Sequence, residues 1–292
     1  MDIDKYQELA QLTDVYADKK EEENLMIPLL GLAGETGTLL SEFKKHIRDG
    51  ESYAGFSERA KEELGDVLWY LANLASRLDV PLSEVAKKNL EKTEERWALS
   101  DSAEYGHVLF DDDYPSHEQL PRSLEIEVAV NSDSGKVEMF VLPNKSKVGD
   151  GLTDNSYEDD GYRYHDVLHF ANMAVLGWSP IMRKFLGLKR KSNQRVDEVE
   201  DGGRAAILEE LIVAYVYNNA SERNLYEGLE HVDTELLSTI KRLVAGFEVS
   251  RCRTQDWERA ILQGYEAFRH LVKNSQGTFK LDLLNRTLMI LK

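Results

Sequence analysis

The sequence contains a single cysteine, Cys252, in 292 residues. One cysteine cannot form an intrachain disulfide, and it cannot supply the several thiolates of a structural zinc cluster. Long apolar runs are also missing, so no stretch is long enough to span a bilayer. The acidic start, MDIDKYQELA, lacks the apolar core of a signal peptide. We therefore expect a cytoplasmic protein with no disulfide and no membrane partner.

Basic residues are few relative to acidic ones. Lys and Arg number 36 against 53 Asp and Glu, which gives a net charge of −17 at pH 7. This balance argues against stable nucleic-acid binding, because that binding relies on Lys and Arg to neutralise phosphates. A mononucleotide carried with Mg²⁺ remains compatible, since only the local charge matters. The GxxxxGK[ST] pattern of a P-loop is absent from the sequence, which argues against that route to phosphate chemistry.

Two segments carry carboxylates beside an apolar stripe when they are drawn as helices. They are GLAGETGTLLSEFKKHIRDG, from Gly31, and KEELGDVLWYLANLASRL, from Lys61. The predicted inward faces comprise Leu29, Leu32, Leu40, Phe43 and Ile47 in the first segment, and Leu64, Val67, Leu68, Leu71, Ala75 and Leu78 in the second. Acids at the junction of two packed helices are costly unless a cation or a donor neutralises them. The pattern predicts a Mg²⁺ site between the helices; the alternative is an ordinary solvated face, which abundant acids also produce.

The spacing of the acids limits which of them can share an ion. Glu63 and Asp66 are three residues apart, so both can reach one ion from the same helical turn. Glu35 and Glu42 are seven residues apart, roughly 10 Å along a helix axis, and cannot easily bind one ion together. Glu35 is the better ligand of the two. Glu42 can serve a second ion, bind a catalytic water, or pair with the cations that follow it.

A third predicted helix supplies positive charge. The segment EVAKKNLEKTEERW places Asn89, Lys92 and Arg96 on one face. Lys and Arg beside a metal-bound triphosphate would neutralise the charge that the ion leaves on the phosphate oxygens. The alternative is a salt-bridged surface helix. A basic cluster also follows Glu42, and its members can contact phosphates or solvate a helix C-terminus: Lys44, Lys45, His46 and Arg48. Of these, Lys45 or His46 can pair with Glu42.

These motifs, in this order, resemble the MazG-type nucleoside triphosphate pyrophosphohydrolases. The resemblance runs from the early YQ pair through GLAGETG, KKHIRDG and EELGDVLWYLANLA to AKKNLEKTEERW, about the first hundred residues. It implies an all-α enzyme of the dimeric dUTPase-like group, with an ExxE and an ExxD set that hold Mg²⁺, or alternatively Mn²⁺. Such enzymes cleave nucleoside triphosphates to monophosphate and pyrophosphate. The resemblance also favours roles for Asn89 and Lys92 at the nucleotide.

Three acids match the family pattern and one position departs from it. Glu35, Glu63 and Asp66 match as metal ligands, whereas the second glutamate of ExxE is replaced by Thr38. A neutral hydroxyl is a weaker ligand for a hard cation than a carboxylate. Either the site holds fewer ions, or Glu42 supplies the missing charge through water, or hydrolysis is lost and the domain only binds nucleotides. We favour compensation by Glu42, because the rest of the motif is complete.

The reaction that the resemblance implies is Mg²⁺-assisted hydrolysis of a nucleoside triphosphate. Glu35 or Glu42 would orient or deprotonate the attacking water, and Lys92 would stabilise the departing pyrophosphate. The predicted nucleotide-binding side chains are Lys45, Asn89, Lys92 and Arg96. The alternative is a nucleotide-binding sensor with weakened catalysis, whose C-terminal domain acts as an effector or a second metal-dependent site. A homodimer or homotetramer is expected, since a helical unit this small seldom encloses a nucleotide alone.

We expect a mainly α protein in three parts: a helical bundle over residues 1–100, a linker over 101–121, and a mostly helical domain over 122–292. The linker is acidic and shows no helical period. LEIEVAV and KVEMFVL alternate apolar and polar residues around NSDSG, which predicts one β-hairpin at the start of the last part. Helical patterns return at Tyr162 and continue to the end. The basic tract KRKSNQR, from Lys189, is expected to solvate a loop or to bind a phosphate.

The last part contains its own set of metal-ligand residue types. His165 and His169 lie four residues apart on one helical face, with Asp166 between them. Glu209 and Glu210 occur in a helix that is apolar nearly all round, so at least one of them needs a buried partner. The five residues form either a second metal-dependent site or a polar network that locks two helices, and we favour the network. By resemblance, this region is similar to the companion domain that follows some MazG-like domains.

Overall fold

The computed structural model describes residues 1–15, 21–97 and 109–291, without the side chains of residues 21–24, 92 and 95–97. The chain forms two compact units, Met1–Glu94 and Glu95–Lys292. Within the described ranges, no helix has both the length and the apolar character needed to cross a membrane.

The first unit is helical. Its helices are α1 (Ile3–Gln11), α2 (Glu21–Asp49), α3 (Phe56–Arg77) and α4 (Leu82–Trp97). The side chain of Asp2 caps α1 by accepting a hydrogen bond of 2.7 Å from the backbone N–H of Lys5. A short 3₁₀ turn, Gly50–Ser52, follows α2, and Gly50 has a φ of +56°, which glycine adopts without strain.

Helix α1 fixes the start of α4. The side-chain amide of Gln7 donates to the carbonyl of Val80 at 3.0 Å and accepts from the N–H of Leu82 at 2.8 Å. The carboxylate of Asp4 accepts from the N–H of Ser83 at 2.9 Å. The first N–H groups of a helix have no partner within the helix, so these two side chains satisfy them and hold α4 against α1.

Much of the apolar surface that was predicted to pack inward is exposed. The exposed fraction is 64% for Leu40, 81% for Ile47 and 54% for Leu64. A small buried cluster consists of Ala10, Ala72, Ala75 and Leu82. Leu29, Phe43, Leu71 and Leu78 are exposed as well, so the inward packing predicted for these seven residues was wrong for a single chain. The apolar stripe of each helix is wider than the surface that the neighbouring helix covers, so its edges stay exposed.

The second unit combines helices with an antiparallel sheet. Its helices are α5 (Asp166–Ala171), α6 (Pro180–Leu186), α7 (Gln194–Val199), α8 (Gly203–Ser221), α9 (Thr234–Leu243) and α10 (Thr254–Asn274), and a π-helical turn, Asn172–Leu176, continues α5. Its strands are β1 (Ser123–Val130), β2 (Val137–Val141), β3 (Ser146–Leu152), β4 (Gln276–Asp282) and β5 (Thr287–Ile290). The predicted fold class, mainly α with a β-hairpin in the second part, is confirmed.

The hairpin of β1 and β2 belongs to a larger sheet than the sequence indicated. The strand order is β3-β2-β1-β4-β5, and all neighbours are antiparallel. Val130 pairs with Val137 beside the turn, and Ile126 pairs with both Val141 on β2 and Phe279 on β4. The expectation that helices continue to the end of the chain was wrong for β4 and β5. Strand β4 is stabilised by pairing with β1, which lies far earlier in the chain, and β5 pairs in turn with β4. Local patterns do not reveal the pairing of β4 with β1.

Part of the predicted linker belongs to the core of the second unit. Residues 101–108 lie outside the described chain, but Phe110 is 6% exposed and Leu120 is 1% exposed in the main apolar cluster. The carboxylate of Asp111 accepts hydrogen bonds of 2.7 Å from the N–H of Leu120 and from the guanidinium of Arg183. Residues 109–121 are therefore packed rather than loose, because they bury both apolar and charged groups.

Helix α10 passes through the middle of this core. A side chain at Gly264 would meet Leu168 and Ala171 at 3.0–3.1 Å, so the glycine allows α10 to approach α5 closely. Trp178 and Trp257 are buried beside one another, with ring centroids 6.2 Å apart. The close packing of α5 on α10 places His169 of α5 and the preceding His165 on a rigid support.

Candidate functional site

Helices α2 and α3 bring three predicted metal ligands together. One carboxylate oxygen each from Glu35, Glu63 and Asp66 lies within 4.8 Å of the other two. Glu35 and Glu63 are half-buried and Asp66 is exposed, so the cluster opens to solvent on one side. Oxygen atoms at this separation can share one hard divalent cation.

The three carboxylates repel one another. The pKa of Glu63 is raised, first by burial and then by the negative charges of Glu35, Asp66 and Glu42. A bound divalent cation would remove this repulsion, because it binds the charged form of each group. The donor set, three carboxylates and no sulfur, suits Mg²⁺ or Mn²⁺.

Glu42 lies apart from this group and is engaged by two donors. It is 5% exposed, its Oε1 lies 2.5 Å from Nζ of Lys45, and its Oε2 accepts a hydrogen bond from the hydroxyl of Tyr53. These two hydrogen bonds hold the pKa of Glu42 below its usual value. Of the roles left open by the sequence, the geometry favours pairing with Lys45. His46 instead stacks on Phe56, with ring centroids 4.2 Å apart.

Tyr53 was not found by sequence reasoning. It follows α2 in the turn before α3, eleven residues after Glu42, and no motif or helical spacing connects the two. Only the path of the turn brings its hydroxyl to the carboxylate.

The other residues predicted for this site lie on α2 and α4. The hydroxyl of Thr38 donates to the carbonyl of Gly34 at 3.3 Å, which is a bond within its own helix. Asn89 is exposed on α4. The side chains of Lys92 and Arg96 lie outside the described part of the structure.

The second unit brings together the other predicted cluster. Nε2 of His165 lies 3.6 Å from Oδ1 of Asp166 and 3.8 Å from Oε2 of Glu210. Nε2 of His169 lies 3.9 Å and 3.6 Å from the same two oxygens. Ligand atoms of His165, Asp166 and His169 all lie within 4.8 Å of one another. We call these four residues the His165 cluster, and they come from α5, the residue before it, and α8.

Glu209 and Glu210 have different surroundings although they are adjacent. Glu209 is fully buried, and its carboxylate accepts hydrogen bonds from Asn172 at 3.1 Å and from the Ser179 hydroxyl and the N–H of Ile181 at 3.0 Å. Its Oε1 also lies 2.9 Å from Nδ1 of His169. Glu209 therefore positions His169, whereas Glu210 belongs to the His165 cluster. The donors Ser179 and Ile181 have no signal in the sequence pattern, because they come from the start of α6.

Burial and neighbouring charges oppose one another in the His165 cluster. Burial disfavours a charged His169, but the carboxylates of Glu209, Glu210 and Asp166 together outweigh it and raise the pKa of that imidazole to about 10. Burial raises the pKa of Asp166 despite the neighbouring histidines. Burial also opposes charge on Glu210, yet the two histidines and Lys184 lower its pKa. A cation or protons are needed here to balance the acids.

Arg190, in the basic tract that begins at Lys189, is neither solvated nor accessible to a phosphate. Arg190 is 1% exposed and its guanidinium lies 2.7 Å from Asp201 and 2.6 Å from Glu248. Arg183 is 2% exposed and pairs with Asp111 at 2.7 Å. Both expectations for the tract were wrong at Arg190, because acids distant in sequence bury this charge.

Comparison with known proteins assigns both units. A model of the MazG nucleotide pyrophosphohydrolase domain matches residues 25–98, and a model of the MazG C-terminal domain matches residues 105–292. The Gene 37 protein of Mycobacterium phage L5 is 40% identical to this chain over 101 residues, which cover 33% of this chain and 89% of that protein. No solved structure matches. The two matched domains together cover most of the chain, and the acidic cluster lies in the first of them. The chain therefore belongs to the MazG family.

Proposed function

We propose that the protein is a Mg²⁺-dependent nucleoside triphosphate pyrophosphohydrolase, which releases nucleoside monophosphate and pyrophosphate. The observation that carries the proposal is the convergence of Glu35, Glu63 and Asp66 within 4.8 Å. All three lie in the segment that matches the MazG nucleotide pyrophosphohydrolase domain. We assign the activity to residues 1–100.

The donor set supports a hard cation. Glu35, Glu63 and Asp66 would hold Mg²⁺, with Mn²⁺ as the alternative, since carboxylate oxygens suit both ions. When bound, the ion supplies positive charge to the phosphate oxygens and lowers the pKa of a coordinated water. The raised pKa of Glu63 supports this assignment, because burial and then the charges of Glu35 and Asp66 disfavour its ionised form, which a bound cation would stabilise.

Glu35 is the better of the two candidates for orienting the attacking water. Both oxygens of Glu42 are engaged, by Lys45 and Tyr53, and the lowered pKa makes Glu42 a weaker proton acceptor. Glu35 is one of the three acids of the cluster and is half-buried. We assign Glu42 to holding Lys45 in place, so that this ammonium group lies near the site with a fixed orientation.

The cations and amide predicted from the sequence complete the proposal. Phosphate oxygens carry more charge than one divalent ion neutralises, so further donors are needed. We assign this binding to Lys45, Asn89, Lys92 and Arg96. Lys92 would stabilise the departing pyrophosphate.

One observation favours a second function, a nucleotide-binding sensor with weakened catalysis. The Thr38 hydroxyl is neutral and donates to the carbonyl of Gly34, so it does not replace a carboxylate. A site with fewer negative ligands binds fewer or looser ions. In that case the second domain would act as the effector.

The experiment is a product assay on the full chain. The protein is incubated with Mg²⁺ and each nucleoside triphosphate in turn, and the products are separated by anion-exchange chromatography. Monophosphate and pyrophosphate in equal amounts support the proposal. Diphosphate with orthophosphate would contradict it, and nucleotide binding without turnover would favour the sensor.

We also propose that the protein is a homodimer or homotetramer that forms through the first unit. Leu40, Ile47 and Leu64 are each more than half exposed, which is unusual for so many large apolar side chains on two neighbouring helices. Burial of this surface against a second copy would stabilise the helices that carry the acids.

A further inference from the structure

The His165 cluster uses none of the residues of the proposed pyrophosphohydrolase site, and that function leaves it without a role. It lies in the second unit, and the acids of the first site lie in the other. We propose that the cluster binds one divalent transition-metal ion through Nε2 of His165, Nε2 of His169 and the carboxylates of Asp166 and Glu210. The inference does not rest on the pyrophosphohydrolase assignment.

The first argument is geometric. The two imidazole nitrogens and the two carboxylate oxygens are separated by 3.6–3.9 Å. Ligands at about 2.1 Å from a tetrahedral ion lie roughly 3.4 Å from each other. Ligand atoms of His165, Asp166 and His169 already lie within 4.8 Å of one another. Oε2 of Glu210 lies 3.8 and 3.6 Å from the two Nε2 atoms, and a rotation of this side chain would bring it in as the fourth ligand. Glu210 comes from α8, whereas His165 precedes α5 and Asp166 and His169 lie in it, so the ion would join the two helices.

The second argument is the unsatisfied Nε2 of His169. This side chain is completely buried; its Nδ1 lies 2.9 Å from Oε1 of Glu209, but its Nε2 has no hydrogen-bond partner among the residues that the structure describes. Its Nε2 faces two carboxylate oxygens at distances too long for a hydrogen bond. A buried imidazole is costly to leave unpaired, and a metal ion would occupy the position that Nε2 faces.

The third argument is that each histidine is oriented from its far side. Nδ1 of His165 lies 2.8 Å from the carbonyl of Tyr162, so Nδ1 carries the proton and Nε2 presents its lone pair. Tyr162 also stacks on the His165 ring, with centroids 4.3 Å apart. Nδ1 of His169 lies 2.9 Å from the carboxylate of Glu209. Metal-binding histidines show this arrangement, in which a carbonyl or carboxylate fixes the tautomer and leaves the other nitrogen for the ion.

The surroundings of Glu209 strengthen this argument. Three donors hold its carboxylate, including Asn172 at the first position of the π-helical turn. A single π-helical turn within a helix is costly and is frequent at functional sites. Here it brings the Asn172 amide to Glu209, which in turn orients His169.

The donor set indicates the class of ion. Imidazole nitrogen with carboxylate oxygen suits Zn²⁺, Mn²⁺, Fe²⁺ or Co²⁺, whereas Mg²⁺ prefers oxygen ligands. The Glu210 side chain is 43% exposed, so an ion can enter from that side. The alternative is a metal-free network in which His169 is an imidazolium ion paired with the acids.

The test uses the full chain after treatment with a chelator, in a buffer that contains millimolar Mg²⁺ to occupy the acidic site of the first unit. Zn²⁺ is then added, and binding is followed by isothermal titration calorimetry. The X-ray absorption spectrum of the zinc-loaded protein is recorded in parallel. We expect one Zn²⁺ per chain and scattering from two imidazole rings. Zinc that binds without imidazole scattering, or no binding, would overturn the proposal.

Three variants sharpen the test. His165→Gln should weaken Zn²⁺ binding by at least about tenfold, and Glu209→Gln should weaken it by about 10–100-fold through His169. His117→Gln is the matched control, because His117 is 78% exposed and lies outside the cluster. Unchanged affinity in folded His165→Gln protein would show a metal-free network instead. If that variant fails to fold, the absorption spectrum of the unmodified protein still decides the question.

Pyrophosphohydrolase activity is measured on the same samples with Mg²⁺ alone. Its presence or absence leaves the zinc result unaffected, so failure of either proposal can be recognised separately.

Discussion

The ring of Tyr70 on α3 lies against the backbone of Gly31 on α2, in the space that a side chain at residue 31 would occupy. A Cβ placed on Gly31 would fall on the ring atoms of Tyr70, closer than carbon atoms can pack. The glycine therefore permits the approach of the two helices that carry the acidic cluster, and Glu35 follows it by one helical turn.

We expect Gly31→Ala to destabilise the first unit by about 1–3 kcal/mol, because the added methyl forces the helices apart. The measurement is hydrogen exchange of peptides from α2 and α3, which should become faster. Gly37→Ala is the control, since its Cβ would meet open space and alanine favours a helix by about 1 kcal/mol over glycine. Combining Gly31→Ala with Tyr70→Ala should restore slow exchange; if it does not, the contact is not the cause.

Glu63→Gln should lower Mg²⁺-dependent turnover by about 100-fold or more. Substitution of a residue that only hydrogen-bonds to a metal ligand costs about 10–100-fold in activity, and loss of a ligand itself should cost more. The rate of pyrophosphate release measures this. Glu62→Gln is the matched control at the preceding residue, which is exposed and pairs with Arg59. Equal activity in the Glu63 variant would contradict the assigned ligand set.

The raised pKa of Glu63 also predicts how Mg²⁺ binding depends on pH. As the solution is acidified, Glu63 takes up a proton at a higher pH than an ordinary glutamate does, so the affinity for Mg²⁺ should begin to fall at that higher pH.

Asp111→Asn should destabilise the second unit by about 3 kcal/mol, because it removes the nearer of two acids that pair with the buried guanidinium of Arg183 and leaves only Asp201 at 3.6 Å. Alkylation of Cys252 during urea unfolding reports this unit, since that thiol is 4% exposed and no other cysteine is present in the chain. Asp112→Asn, at a residue whose side chain is 61% exposed, is the control and should unfold at nearly the unmodified urea concentration.

The same pair predicts a dependence on pH. Burial would raise the pKa of Asp111, but the N–H of Leu120 and the charge of Arg183 outweigh it and lower that pKa. The group therefore contributes stability that is fully present above its unfolded pKa of about 3.9 and is lost as the pH falls below it. Asp111→Asn should flatten the acid side of the stability curve. A curve of unchanged slope would count against this pair.

Ile47→Glu should shift the protein to a smaller assembly, because Ile47 is 81% exposed on α2 and a carboxylate in an apolar interface is costly. Analytical ultracentrifugation gives the mass in solution. Leu284→Glu, at a residue 62% exposed in the second unit, should leave that mass unchanged. A monomer in the unmodified protein would rule out the proposed oligomer.

The sequence indicated most of the first site. Helical spacing alone places Glu63 and Asp66 on one turn, since α-helix geometry repeats every 3.6 residues. The same reasoning separated Glu35 from Glu42, and in the structure Glu35 joins the cluster whereas Glu42 pairs with Lys45. Spacing could not identify Tyr53, because its contact depends on the turn between two helices.

The second unit shows where local patterns fail. The hairpin of β1 and β2 was predictable because both strands and their turn are adjacent in sequence. Strand β4 was missed, since its stability comes from pairing with β1. The burial of Arg190 was missed for the same kind of reason, because Glu248 is 58 residues away.

By itself, the sequence determined the helical class of the first unit, its acidic ligand types and the presence of histidines and acids in the second, because these follow from composition and from the period of a helix. Tertiary structure alone decided that Glu209 turns inward to orient His169 while its neighbour Glu210 faces the His165 cluster. Adjacent residues on a helix point about 100° apart. Only the packing of α5, α6 and α8 determines that Glu209 faces the donors of α6 and that Glu210 faces the two histidines.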